Sequence, residues 1–392
     1  MKKKILFING HLNAGGVEKS LIDILCHLDY SKYDVELLLL EGLGDYADDL
    51  PKELNLRLVD LHNTYGSLVN SLLCCMKQRD WLCFKMRLLM FMQKFGNAGN
   101  LRHIRKTMFG KQKYDVAIGF RPGICSNLAA FTVDADKRIT WWHHGEYNLD
   151  TKAEADYRMA CRHMDAVISV SESCSAFLRE KLPELSDKLT VIPNLLDGDE
   201  IKRKADMFNP YITDGAFIHL VSIGRLSPEK HIENAIISTV TLVKKGITDF
   251  KWYIVGDGDE RKKLERLAAD KGVSEYIVFT GNQPNPYPYM KYADLFVHPS
   301  YVESQGLVVL EAMTLGVPCV VTRSLGPCEF IEDGVNGVLT EQSAESLAEK
   351  VHMLLIDQGQ YHSIKTNTKC PEQYSPKLVI EGIDDLLEGK YQ

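Results

Sequence analysis

Short apolar runs rich in β-branched residues alternate with segments where apolar positions recur every three to four residues. Lys4–Asn9 reads as a strand. Gly15–Leu28 reads as a helix with Val17, Leu21, Ile24, Leu25 and Leu28 on one face. Strands follow near Val35–Leu40, Leu56–Asp60, Asp115–Phe120, Arg138–Trp142 and Ala166–Val170, and Ser171 suits the N-cap of a helix after the last. The pattern then restarts with strand His219–Gly224, helix Glu229–Lys245 and strands Lys251–Val255, Tyr276–Thr280, Ala293–His298 and Cys319–Thr322. A repeated βαβ cadence implies parallel sheets covered by helices on both faces. Two doubly wound halves are expected, divided after Ile192-Pro193-Asn194. The polar, pattern-poor stretch Leu195–Gly215 reads as a linker, and Ser375–Leu387 as a closing helix.

Composition narrows the classes. The 392 residues are 45% hydrophobic and 25% charged, which excludes a disordered, collagenous or low-complexity chain. The net charge of −7 gives no general reason to expect nucleic-acid binding. Ten cysteines form no C-x-x-C pair and read as small apolar residues of a reducing, cytoplasmic protein. The run Ile5-Leu6-Phe7-Ile8 is too short for a signal-peptide core, and no stretch of 18 apolar residues occurs. One segment departs from the acidic average: from Met76 to Lys113, ten Lys and Arg stand against the single Asp80, a net +9. Because Trp81, Phe84 and Leu88 to Met92 are interleaved with these cations, two readings are open. The segment is a candidate for an anionic membrane surface, or a helix pair packed on the first half with solvated bases.

Three constellations can carry chemistry. Gly15-Gly16 lies between a strand and a helix, where backbone amides can meet an anion. It is not a G-x-G-x-x-G fingerprint, so a nicotinamide cofactor is unsupported. Arg225 and Lys230, in Gly224-Arg225-Leu226-Ser227-Pro228-Glu229-Lys230, place two cations after the first strand of the second half, which suits a diphosphate. Glu303 and Glu311 stand eight apart; Ser304 is expected to cap a helix that starts with the amides of Gly306 and Leu307. A carboxylate accepting two hydroxyls suits a sugar ring or a ribose diol. In Trp141-Trp142-His143-His144-Gly145, two histidines end a first-half strand; adjacent strand residues point apart and lack cysteine partners for zinc. His298 reads as loop scaffold.

The order Gly15-Gly16-Val17-Glu18, Ile192-Pro193-Asn194, Gly224-Arg225-Leu226 with Lys230, Val255-Gly256-Asp257-Gly258, Glu303-x7-Glu311, Gly316-Val317-Pro318, Gly326-Pro327-Cys328-Glu329 and Asp333-Gly334-Val335-Asn336-Gly337 resembles the retaining glycosyltransferases of family 4, among the glycosyl transferases group 1. The resemblance implies a GT-B fold: two Rossmann-like doubly wound domains facing across a cleft. Residues 1–194 would form the acceptor side, 195–374 the nucleotide-sugar side, and the helix within 375–392 would return to the first domain. It implies that Glu311 takes the ribose diol, that Arg225 and Lys230 hold the diphosphate, and that Glu303 holds the transferred sugar. Gly306 and Leu307 amides add donors, and Gly16 approaches the phosphates. The family often has a histidine here that reaches the sugar; two adjacent histidines leave the register open between His143 and His144, with His144, before Gly145, preferred. The expected partners are a UDP- or GDP-sugar and a glycan or lipid-linked acceptor, with no nucleic acid and no metal or other cofactor. The sequence departs from the family pattern at Ser304-Gln305 and at Leu195-Leu196-Asp197. Two other readings stay open: a non-catalytic nucleotide- or glycan-binding partner of another transferase, and a GT-B-fold sugar-nucleotide epimerase.

Overall fold

The structure, a computed structural model, describes residues 2–13, 15–59, 68–93, 98–143, 152–212 and 218–390. The chain divides into two compact units, Met1–Leu195 with Val379–Gln392, and Leu196–Leu378.

The first unit holds a sheet of β1 (Lys3–Asn9), β2 (Tyr33–Leu39), β3 (Asn55–Leu58), β4 (Tyr114–Gly119), β5 (Ala135–Trp142), β6 (Ala166–Ser169) and β7 (Leu189–Val191). Their order is β3-β2-β1-β4-β5-β6-β7, with every pairing parallel. The central strands are apolar on both faces because both are covered. Ile5 and Phe7 pack with Leu21 and Leu25 of the helix Gly16–His27, while Leu6 and Ile8 pack with Met86, Ile104 and Met108. The latter three belong to the basic excursion, folded as the helices Leu68–Gln78, Trp81–Gln93 and Ala98–Met108. Ser171 caps its helix as expected, its hydroxyl accepting from the Cys174 amide.

The second unit holds β8 (Ile218–Ile223), β9 (Phe250–Val255), β10 (Ile277–Gly281), β11 (Leu295–His298), β12 (Cys319–Thr322) and β13 (Val338–Thr340), ordered β10-β9-β8-β11-β12-β13 and again parallel throughout. In each sheet the order reverses beside its first strand, at β1/β4 and at β8/β11. Loops at the carboxyl ends of such strands open a crevice where ligands bind.

Several expectations needed correction. β7 and β13, three residues each, escaped the periodicity because so short a run carries no pattern. Leu195–Gly215 is not a linker throughout. Asp197 caps a helix, Gly198–Ala205, by accepting from the Asp199 and Glu200 amides. Leu196, Ile201, Ala205 and Tyr211 are buried in the second unit's core. The stretch looked polar because only one face of that helix is covered. The helix expected over Glu229–Lys245 is a 3-10 turn, Pro228–Lys230, followed by a helix over Ile232–Lys244. Between them His231 adopts a left-handed conformation, φ 46°, with its ring stacked on Tyr301 at 3.6 Å.

The closing helix is Pro376–Glu388. Its Val379, Ile383, Leu386 and Leu387 are buried in the first unit's core, and Asp384 accepts hydrogen bonds from Tyr33 Oη at 3.0 Å and Lys32 Nζ at 3.1 Å.

Candidate active site

In the second unit, the loops after β8 and β11 stand side by side because these strands are neighbours. They are also tied to each other. The Glu229 carbonyl accepts from the Tyr301 amide at 3.2 Å and from Ser300 Oγ at 3.1 Å. Asn234 Nδ2 donates to Tyr301 Oη at 2.8 Å. Across this seam Lys230 Nζ lies 2.5 Å from Glu303 Oε1, and His298 Nε2, at the end of β11, lies 2.7 Å from the same oxygen. Glu303 is almost fully enclosed, with 11% of its side chain exposed. Burial works to raise its pKa, but Lys230 and His298 outweigh it and hold the carboxyl well below the ordinary value of 4.5. Glu303 therefore stays a carboxylate.

Arg225 follows β8 and is exposed, with no hydrogen bond or ion pair to its guanidinium among the described residues. Its approach depends on crowding: Gly256, at the end of β9 with φ 138°, lies so close that a Cβ there would sit 2.0 Å from the Gly224 carbonyl oxygen. The Val-Gly-Asp-Gly motif is thus a close-packing device beneath the Arg225 loop.

Ser304 does not cap the helix after β11. The helix runs Leu307–Thr314 and its N-cap is Gly306, at φ 80°. A side chain at 306 would strike Pro327, its Cβ 2.9 Å from Cγ, so the tight turn selects glycine on two grounds. Leu307 is the first helical residue and Glu311 lies one turn on, half-buried, accepting from Tyr287 Oη at 3.0 Å. Gly326 fits beneath the same turn; a Cβ there would lie 2.4 Å from the Gln305 Cα, and its amide donates to the Glu303 carbonyl at 3.2 Å.

In the first unit, Gly15 is extended at φ −177° and Gly16 opens the helix Gly16–His27 beside the β1/β4 reversal. Glu18 is buried in its first turn, 3.0 Å from Arg121 after β4 and 3.6 Å from His11 after β1. Ser20 Oγ donates to Asn194 Oδ1 at 2.6 Å, which ties the Pro-Asn motif to the glycine-rich turn. His143 is buried with its ring against Phe120, centroids 4.6 Å apart. His144 lies outside the described residues.

Arg225, Lys230, Glu303, Gly306, Leu307 and Glu311 therefore share one unit and one sheet edge, while Gly16 and His143 belong to the other unit. The sequence missed Tyr287 and Tyr301, which sit in no repeating pattern, and took His298 for scaffold although it contacts Glu303. The unbroken Val297-His298-Pro299 step out of a buried strand was the available signal. Among the described residues no group of three or more His, Cys, Asp or Glu side chains is arranged to hold a metal.

Residues 204–370, most of the second unit, match the family described as glycosyl transferases group 1. A lipopolysaccharide core biosynthesis glycosyltransferase, LpsE, of Rhizobium meliloti is 36% identical over 44% of this chain and 50% of its own length. An N-acetyl-alpha-D-glucosaminyl L-malate synthase of Bacillus anthracis is 28% identical over 67% of this chain and 71% of its own. The chain spans about half the length of the former. The Anabaena protein HepE, solved with UDP-glucose, superposes with a TM-score of 0.74 at 18% identity over 98% of this chain and 99% of that one. The fold is accordingly GT-B, and the resemblance to group 1 glycosyltransferases holds, carried by the unit that contains Arg225, Lys230, Glu303 and Glu311.

Proposed function

We propose that the protein is a retaining glycosyltransferase of family 4 that moves a hexosyl unit from a nucleotide-sugar to a hydroxyl of a glycan or lipid-linked acceptor, in surface polysaccharide or glycoconjugate synthesis. One observation carries the reading: a carboxylate held ionised by Lys230 and His298, beside the exposed Arg225, at the carboxyl edge of β8 and β11. A UDP- or GDP-sugar fits this arrangement, and the names of the relatives and the UDP-glucose complex of HepE support it.

In the proposed mechanism Arg225 and Lys230 neutralise the diphosphate, so the leaving group needs no metal. Such preorganised charge is commonly worth several kcal/mol in a transition state. Glu311 takes the ribose diol, the Gly306 and Leu307 amides add donors, and Glu303 Oε2 faces the sugar hydroxyls while Oε1 is held. The departing phosphate oxygen takes the acceptor's proton on the same face, which retains the anomeric configuration.

Calorimetric titration with UDP and GDP tests the assignment without an acceptor. Glu311→Ala and Arg225→Ala should each weaken the preferred nucleotide by about 1.5–3 kcal/mol, the usual worth of a charged hydrogen bond. Unchanged affinity in both variants rejects the site.

A further inference from the structure

We propose that His231 is a positioning residue: its ring, stacked on Tyr301, clamps the loop after β8 to the loop after β11 and so sets Lys230 against Glu303. The inference rests on the proposed function in one respect, that Lys230 meets a diphosphate; the clamp itself does not depend on it.

Lys230 ends a 3-10 turn of three residues, Pro228–Lys230. So short a turn holds little by itself. The Lys230 amide donates to the Ser227 carbonyl at 3.1 Å, and the His231 amide to the Pro228 carbonyl at 3.2 Å. Lysine is also a point charge on a flexible four-carbon stem. Its ammonium nevertheless lies 2.5 Å from Glu303 Oε1, although 73 positions separate the two residues. Something outside the turn must fix its backbone.

The residues on either side of Lys230 do so, and both reach the same short segment. Before it, the Glu229 carbonyl accepts from Ser300 Oγ and from the Tyr301 amide. After it, the His231 ring lies on the Tyr301 ring, centroids 3.6 Å apart and planes 19° from parallel. Tyr301 is itself fixed: its hydroxyl donates to the Gln342 carbonyl at 2.6 Å and accepts from Asn234 Nδ2 at 2.8 Å. The Asn234 amide donates in turn to the His231 carbonyl at 2.9 Å. Glu303 follows Tyr301 by two residues. Lys230 is thus straddled by two ties to the loop that carries its partner.

The backbone shows that this arrangement is held against strain. His231 is left-handed, φ 46° and ψ 42°, where the 3-10 turn meets the helix Ile232–Lys244. Among the described residues, Arg79 is the only other non-glycine with a positive φ. Glycine would take the conformation freely, whereas a side chain there persists only where its surroundings over-determine it. The Tyr301 stack does this, together with Glu233 Oε1, 3.3 Å from His231 Nδ1. Reversing the chain would need only a glycine. The ring is therefore what the position retains.

A thermodynamic cycle reads the clamp. His231→Gly keeps the left-handed turn and removes the ring. It should weaken UDP or GDP, whichever the parent binds, about ten-fold in calorimetry, the scale of one charged hydrogen bond. In a Lys230→Met background the same change should have no further effect, because the group it positions is gone. Tyr301→Leu should reproduce the His231→Gly loss, and the two together should lose little more than either. Equal losses in the parent and in Lys230→Met overturn the proposal, as does unchanged affinity in His231→Gly. A second cycle needs no nucleotide and no Lys230 variant. The drop in melting temperature caused by Glu303→Gln at pH 7 should shrink in a His231→Gly background, since Lys230 is no longer held at Oε1. An identical drop in both backgrounds overturns the clamp. A parent that binds neither UDP nor GDP rejects the nucleotide-sugar reading and leaves this second cycle to decide.

Discussion

Lys230 and His298 reach the same oxygen of Glu303, Oε1. This one-sided grip keeps the carboxylate ionised without using its second oxygen, and it holds Lys230 beside the loop that bears Arg225. The pKa of Glu303 is lowered on folding, so the unfolded chain binds more protons between the two values, and stability there rises with pH. The contribution is complete above about 4.5, the ordinary carboxylate value, and is lost as pH falls below it. Glu303→Gln should consequently lower the melting temperature at pH 7, by an amount equivalent to about 1–3 kcal/mol. The difference from the parent should narrow steadily between pH 5 and pH 3. Thermal unfolding across that range checks it; a gap that widens on acidification contradicts the ionised pair. On the proposed reading the same variant should lose turnover far more than UDP affinity, because Lys230 is released rather than removed.

At the scale of elements, the turn from Tyr301 to Leu307 is fixed by what lies beneath it. Gly306 provides the left-handed N-cap, Pro327 closes the space above its Cα, and Gly326 lets its own strand-end loop touch Gln305. A left-handed conformation costs an ordinary residue about 1–3 kcal/mol, and the Pro327 contact adds to it. Gly306→Ala should destabilise the protein by about 2–4 kcal/mol in urea unfolding. It should also weaken UDP binding, since the turn carries Glu303 at one end and Glu311 just past the other. A variant as stable as the parent would show that the turn relaxes freely. The site is therefore as much a property of the Gly326-Pro327 segment as of the two glutamates.

For the molecule as a whole, the closing helix belongs to the first unit's core although 183 residues of the second unit intervene. Ile383 is fully buried there, with Val379, Leu386 and Leu387. Truncating it should cost about 2–5 kcal/mol through lost burial and the cavity left behind. Because UDP is proposed to bind the second unit through Arg225 and Glu311, the calorimetric transition lowered by Ile383→Ala should differ from the one raised by UDP. A single transition moved equally by both would mean that the units unfold together.

The sequence by itself determined the strand–helix cadence, the parallel sheets and the motifs that bring Arg225, Lys230, Glu303 and Glu311 to one edge. Apolar period and glycine position are local properties, and a parallel sheet delivers every post-strand loop to the same side. It did not determine that His298 would reach Glu303, that Tyr287 would serve Glu311, or that Leu195–Gly215 would hold a packed helix. Those depend on which strands become neighbours. The β8/β11 pairing joins residues some seventy positions apart, and no local pattern encodes that distance. Exposure was likewise decided only in three dimensions. The run of bases was visible along the chain, but folding spent Arg105 and Lys113 on aspartates and left Lys77, Arg79 and Lys85 exposed. A charge count sees composition, whereas pairing depends on which side of a helix meets the sheet.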